Sequence, residues 1–139
     1  MGRASGHGDS LESSWKKWFW RTAALVVAAV LFWAATSDVV YEATSPTELS
    51  FHIVLRKAYS IAAFALVAFI ADKALGPSAK PVLRAALLVG AYSAAIEAAQ
   101  AWLGSNEGLA WNVVDTLCGI VGGALGVIAG RIKRSRRTA

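Results

Sequence analysis

The chain has 139 residues, 56% of them hydrophobic, and a mean hydropathy of +0.49. That is too apolar for an ordinary water-soluble domain and too short for more than one compact unit. The net charge of +5 comes from 14 basic and 9 acidic residues. With Cys118 as its single cysteine, the chain has neither an internal disulfide framework nor a paired-cysteine zinc site. Cys118 reads as a small packing residue.

In chain order, Met1 to Ser14 is rich in Gly, Ser and charge, lacks hydrophobic periodicity, and is expected to be a mobile tail. A spanning helix needs about 20 mostly apolar residues. The first candidate runs from Trp15 to Thr36 behind Lys16, Lys17 and Arg21. This segment has the charged and apolar parts of a secretory signal, but the apolar run is long and no Ala-x-Ala site follows, so an uncleaved span is expected.

After the connection Ser37 to Ser50, a helical segment from Glu48 to Lys57 would put Glu48, His52 and Arg56 on one face, with Leu49, Ile53 and Lys57 on a neighbouring one. It either continues the second span, Lys57 to Leu75, or lies along the interface. The third span is Pro81 to Leu103 and the fourth Leu109 to Arg131. The fold class is therefore all-α, a four-transmembrane-helix bundle.

Basic residues gather at the first flank, in the link between spans two and three (Lys73, Lys80, Arg84), and in the tail (Arg131, Lys133, Arg134, Arg136, Arg137). The positive-inside rule makes these cytoplasmic, with both termini inside a plasma membrane. The charge then needs no nucleic acid, because the tail lies where it meets anionic membrane lipid. Trp33, Trp102 and Trp111 near one boundary, and Trp15, Trp18 and Trp20 near the other, read as aromatic belts.

In this orientation Glu97, Gln100, Asn112 and Asp115 lie one to two turns below the outer surface, and Glu48, His52, Arg56 and Lys57 lie at or just under it. A carboxylate at the centre of a spanning helix costs roughly 2.5–3.5 kcal/mol on insertion scales, so such residues usually face protein and mark function. Gly90, Ser93, Glu97, Gln100 and Gly104 recur every three to four residues along the third span. On the fourth, Asn112, Asp115, Thr116, Gly119, Gly122, Gly123, Gly126 and Gly130 do the same, with small-xxx-small spacings that let backbones approach. The glycine series is expected to pack within the bundle rather than form a homodimer face.

These residues resemble the VanZ-like family of small bacterial membrane proteins. That pattern has an acidic residue four positions before a His ahead of the second span, Glu-x-x-Gln late in the third, and Asp-x-x-x-Asn-x-x-Gly opening the fourth. Glu48 and His52 match the first element, Glu97 and Gln100 the second, and Gly119 the end of the last. Asn112 stands where the Asp is expected, Thr116 where the Asn is, Asn106 near an expected loop Arg, and Leu49 where a Lys often follows. Asp115 could replace the missing carboxylate from one turn along. The resemblance implies a four-span protein of the bacterial plasma membrane, linked to teicoplanin and other glycopeptide resistance and to cell-envelope processes.

Two main readings of the cluster stay open. In one, Glu97, Gln100 and Asp115, with Arg56 or Lys57 as counter-charge and His52 at the rim, bind the head group of an envelope component. In the other, Glu97 pairs with Arg56 or Lys57, and Asp115 with Asn112 or a backbone amide, only to fix the bundle. The second reading suits an accessory subunit docked in a larger membrane complex. Acid/base catalysis by His52 with Glu97 or Asp115 has thin support, and no cofactor or metal is expected.

Overall fold

The computed structural model describes residues 7–37, 39–40, 52–104 and 108–138. Four long helices account for nearly all of them: α1 (His7–Thr36), α2 (His52–Leu75), α3 (Pro81–Leu103) and α4 (Leu109–Thr138). Among the described residues there is no strand. All four helices are long and apolar enough to cross a membrane, over Ser14–Thr36, Ile53–Leu75, Pro81–Leu103 and Leu109–Lys133. At 1.5 Å per residue each span covers about 35 Å, enough for a hydrocarbon core of ~30 Å.

The spans lie within a few residues of the expected ones, and three of the helices run past them. α1 starts at His7, before the expected boundary at Trp15, so the expected tail is helical from that point. α2 starts at His52, so the segment before Lys57 continues the second span. α4 runs past Arg131 to Thr138, which makes the basic tail helical.

Between α2 and α3, Gly76 ends the first helix with φ at 75°, its amide donating to the Asp72 carbonyl, and Pro81 opens the next at a position that needs no amide donor. α3 closes on Gly104, whose φ of 85° is left-handed and whose amide donates to carbonyls of the preceding turn.

Side-chain partners fix the relative directions. Tyr92 and Gln100 of α3 donate to the carbonyls of Ala28 and Ala35 of α1, so α1 and α3 run parallel. Gly122, Gly126 and Gly130 of α4 face Ile61, Ala65 and Phe69 of α2 in ascending order, so those two are parallel as well. Gly119 and Gly123 meet Ser93 and Ala85 in descending order, making α3 and α4 antiparallel. The helices thus alternate in direction, and α1 begins at the end where α4 finishes.

α4 packs extensively on both α2 and α3, while α1 rests on α2 and more lightly on α3. The core consists of Phe64, Val67, Ala68, Ala85, Val89, Ile96 and Val127, with Val27, Leu31 and Ala35 of α1 at its margin. Outward positions such as Leu25, Val30, Leu87, Val113 and Leu125 stay exposed, a distribution suited to lipid.

Two glycine rows on α4 make this packing possible. A methyl built on Gly122 would lie 2.7 Å from the Ile61 carbonyl oxygen, and one on Gly123 2.8 Å from that of Ala85. One on Gly126 would collide with the Ala65 carbonyl, which as backbone cannot turn aside. Gly130 faces only the Phe69 ring, at 3.0 Å, and a ring can rotate. Gly126→Val is therefore expected to lower stability by about 1–3 kcal/mol, as overpacking does. Gly130→Val should cost less, and thermal unfolding of both variants in detergent checks the order.

Candidate functional site

At the end of the bundle opposite the chain termini, α2 and α4 are joined by charge. Lys57 Nζ donates to both carboxylate oxygens of Asp115 at 2.5 Å, across 58 residues of sequence. The two side chains are only 13% and 17% exposed. The same ammonium lies 5.2 Å from the centroid of the Trp111 ring, within range of a cation–π contact. Trp111 is thus a partner of the pair as well as an aromatic flank.

The position of Lys57 follows from the seam below it. Lys57, Ile61, Ala65 and Phe69 stand at four-residue steps on α2, and the last three meet Gly122, Gly126 and Gly130. Lys57 therefore lies on the face of α2 that packs against α4, and Asp115 is seven residues before Gly122 on the matching face. α3 adds buried Ser93, whose Oγ donates to the Asp115 carbonyl at 3.0 Å and whose Cβ occupies the space opened by Gly119.

Glu97 is half-buried four residues beyond Ser93 on α3, and the antiparallel register carries it to the level of Asn112 and Asp115. Gln100 points elsewhere: its side-chain amide donates to the Ala35 carbonyl at 2.8 Å and holds α1. Asn112 is half-buried, and its carbonyl accepts from Thr116 Oγ1 at 2.9 Å. The cation of Asp115 is Lys57, which reaches both carboxylate oxygens.

Arg56, half-buried beside Lys57, belongs to the same turn of α2. His52 opens α2, while Glu48, Leu49 and Asn106 lie outside the described residues. Gly119, Gly122, Gly123 and Gly126 lie on the α4 faces against α2 and α3, with Gly119 one turn from Asp115 and the others farther from the charged end. Among the described residues, no three side chains of metal-binding type come together.

Sequence reasoning missed three contacts. Tyr92 donates its hydroxyl to the Ala28 carbonyl, a counterpart of the Gln100 bond two turns away. At the opposite end, Arg84 Nη2 donates to Asp72 Oδ1 at 3.1 Å and to the Gly76 carbonyl at 2.7 Å, tying α3 to the last turn of α2. The signal for that pair is an acid in the last turn of α2 and a base in the first turn of α3, on either side of the Gly76-Pro77 link.

Comparison of the chain with protein-family models, with curated proteins and with solved structures returned no match. The site is therefore read from its own geometry.

The hold on α1 can be tested directly. Interhelical hydrogen bonds within membranes average ~0.6 kcal/mol each, so removing both in Tyr92→Phe/Gln100→Leu should loosen α1 by roughly 1 kcal/mol. Hydrogen exchange of reconstituted protein should then rise several-fold along α1 and stay unchanged along α4.

Proposed function

We propose that this chain is a multi-pass protein of the bacterial plasma membrane, with both termini cytoplasmic, whose polar cluster near the outer surface binds the head group of a cell-envelope component. The observation that carries this reading is the Lys57–Asp115 pair, with Ser93 and Trp111 against it and Glu97 and Asn112 at its level. Charges near the apolar layer are held only where protein offsets their desolvation. An aromatic face beside a cation and half-buried polar groups beside a carboxylate suit an amphiphile with a zwitterionic or hydrogen-bonding head.

Orientation is supported by the basic residues at the termini-bearing end, which match the positive-inside pattern. The VanZ-like reading, with its link to glycopeptide resistance, rests on Glu97, Gln100 and Gly119 at their expected spacing and stays part of the proposal.

A second reading is favoured by the place of the pair at the end of the glycine seam. There it serves helix register alone, as in an accessory subunit of a larger membrane complex. Charge exchange separates the two. Lys57→Gln and Asp115→Asn should each reduce folded yield, since each strands a half-buried charge or leaves a cation unpaired. The exchanged variant Lys57→Asp/Asp115→Lys should recover yield. If the cluster binds a ligand, glycopeptide tolerance of cells carrying the exchanged variant stays lost at parental protein level. Full recovery of tolerance would leave register as the role of the pair.

A further inference from the structure

The four helices are not joined equally around the bundle. α4 is locked to α2 and to α3 by glycine set against main chain, and α1 rests on α2, but α1 and α3 meet only lightly. The other three helices supply the buried core, whereas no residue of the α1 span, Ser14–Thr36, is fully buried. Two long side chains of α3 cross this light seam to carbonyls of α1, Tyr92 to Ala28 and Gln100 to Ala35.

The two bonds differ in their surroundings. The Tyr92 ring meets Phe64 of α2 edge-on, with centroids 6.3 Å apart, and Phe64 belongs to the core. Three helices therefore converge at the level of Ala28. Ala35 lies about 10 Å farther along α1, in its last turn, where carbonyls need donors from outside the helix. Gln100 is such a donor, at 2.8 Å. By helical spacing Gln100 stands within about 60° of Ser93 and Glu97, on the face of α3 that carries the polar cluster. Its backbone thus belongs to the cluster's side of α3, while its amide is turned to α1.

We infer that α1 pivots at Tyr92 and swings its outer turns away from α3, opening a lateral path from the surrounding lipid to the polar cluster. This rests on the reading of the cluster as a head-group site. Released from Ala35, the Gln100 amide meets an acceptor on the entering head group, so one hydrogen bond replaces another and the swing costs little. A side entrance lets the head group pass the seam while its apolar chains stay in lipid. α2, α3 and α4 keep their places, because the glycines that join them abut main chain.

The test measures distances in the full-length protein, reconstituted in nanodiscs of phosphatidylethanolamine and phosphatidylglycerol. Cysteine pairs at exposed positions, in a Cys118→Ala background, carry nitroxides for double electron–electron resonance. Trp33→Cys/Leu103→Cys spans the seam at the outer end, Leu25→Cys/Leu87→Cys spans it on the inner side of Tyr92, and Leu103→Cys/Val113→Cys spans α3 and α4. The outer pair should show a second, longer distance, and Gln100→Leu should raise its share relative to the shorter one about threefold, as loss of one interhelical hydrogen bond does. The other two pairs should each keep a single distance. If the labelled protein folds poorly, the yield of cross-linking of the same pairs by a short bifunctional maleimide in native membranes reads the same change. A single distance for the outer pair in both parent and Gln100→Leu, or equal widening of the inner or the α3–α4 pair, would overturn the pivot. Glycopeptide tolerance retained in cells whose outer pair is cross-linked would overturn the entry path. The distances report the swing whatever the cluster binds, so failure of the pivot and failure of the head-group reading are told apart.

Discussion

The close approach of α2 and α4 is the contact on which the rest of the bundle depends. Lipid tails are as apolar as leucine, so sequestering side chains between helices gains little inside a bilayer, and the helices must be joined by packing. Bare glycine backbone against carbonyl oxygens of a neighbour supplies many short dispersion contacts and weak Cα–H···O interactions. Gly122 and Gly126 provide this toward α2, and Gly119 and Gly123 toward α3, so α4 wedges between two helices and joins them. α1 then lies against a pair whose geometry is already set.

A row of similar contacts spaced four residues apart has a weakness. Sliding one helix by a single step, about 6 Å, would again set glycines against the main chain of the neighbour and keep part of the packing. Lys57 and Asp115 remove that ambiguity, since the same slide separates an ammonium from its carboxylate in a poorly solvated place. Buried polar groups that select one register among several are a recognised use of an otherwise expensive interaction. Ligand binding and register selection are compatible here, because a pair held this firmly presents its remaining lone pairs, and the ring beside it, in one geometry.

Much of this was readable from the residues. Length and apolar content gave four spans, and the spacing of Gly119 to Gly130 marked the packed faces of α4. The sequence leaves the counter-charge of the cluster between Arg56 and Lys57, because adjacent residues on a helix point about 100° apart. Only the phase of α2 against α4, visible through Ile61 and Ala65, decides between them. The helix start at His7 escapes a hydropathy reading because hydropathy marks where lipid begins, whereas the backbone continues helical into water; the run from His52 into the second span is one of the two readings that the sequence offers. Arg84 had been read solely as a topology signal, and its bond to Asp72 depends on how tightly the Gly76-Pro77 turn folds back, which charge counting cannot give.

The bonds that hold α1 have one more implication. Tyr92 and Gln100 grip main-chain oxygens of Ala28 and Ala35, and a carbonyl is present whatever side chain that position bears. These two bonds are thus indifferent to the side chains they hold, and the packing of Val27 and Leu31 carries what selectivity there is. Substitutions along α1 that keep it apolar and helical, and that keep the size of Val27, Leu31 and Ala35, leave these two bonds in place.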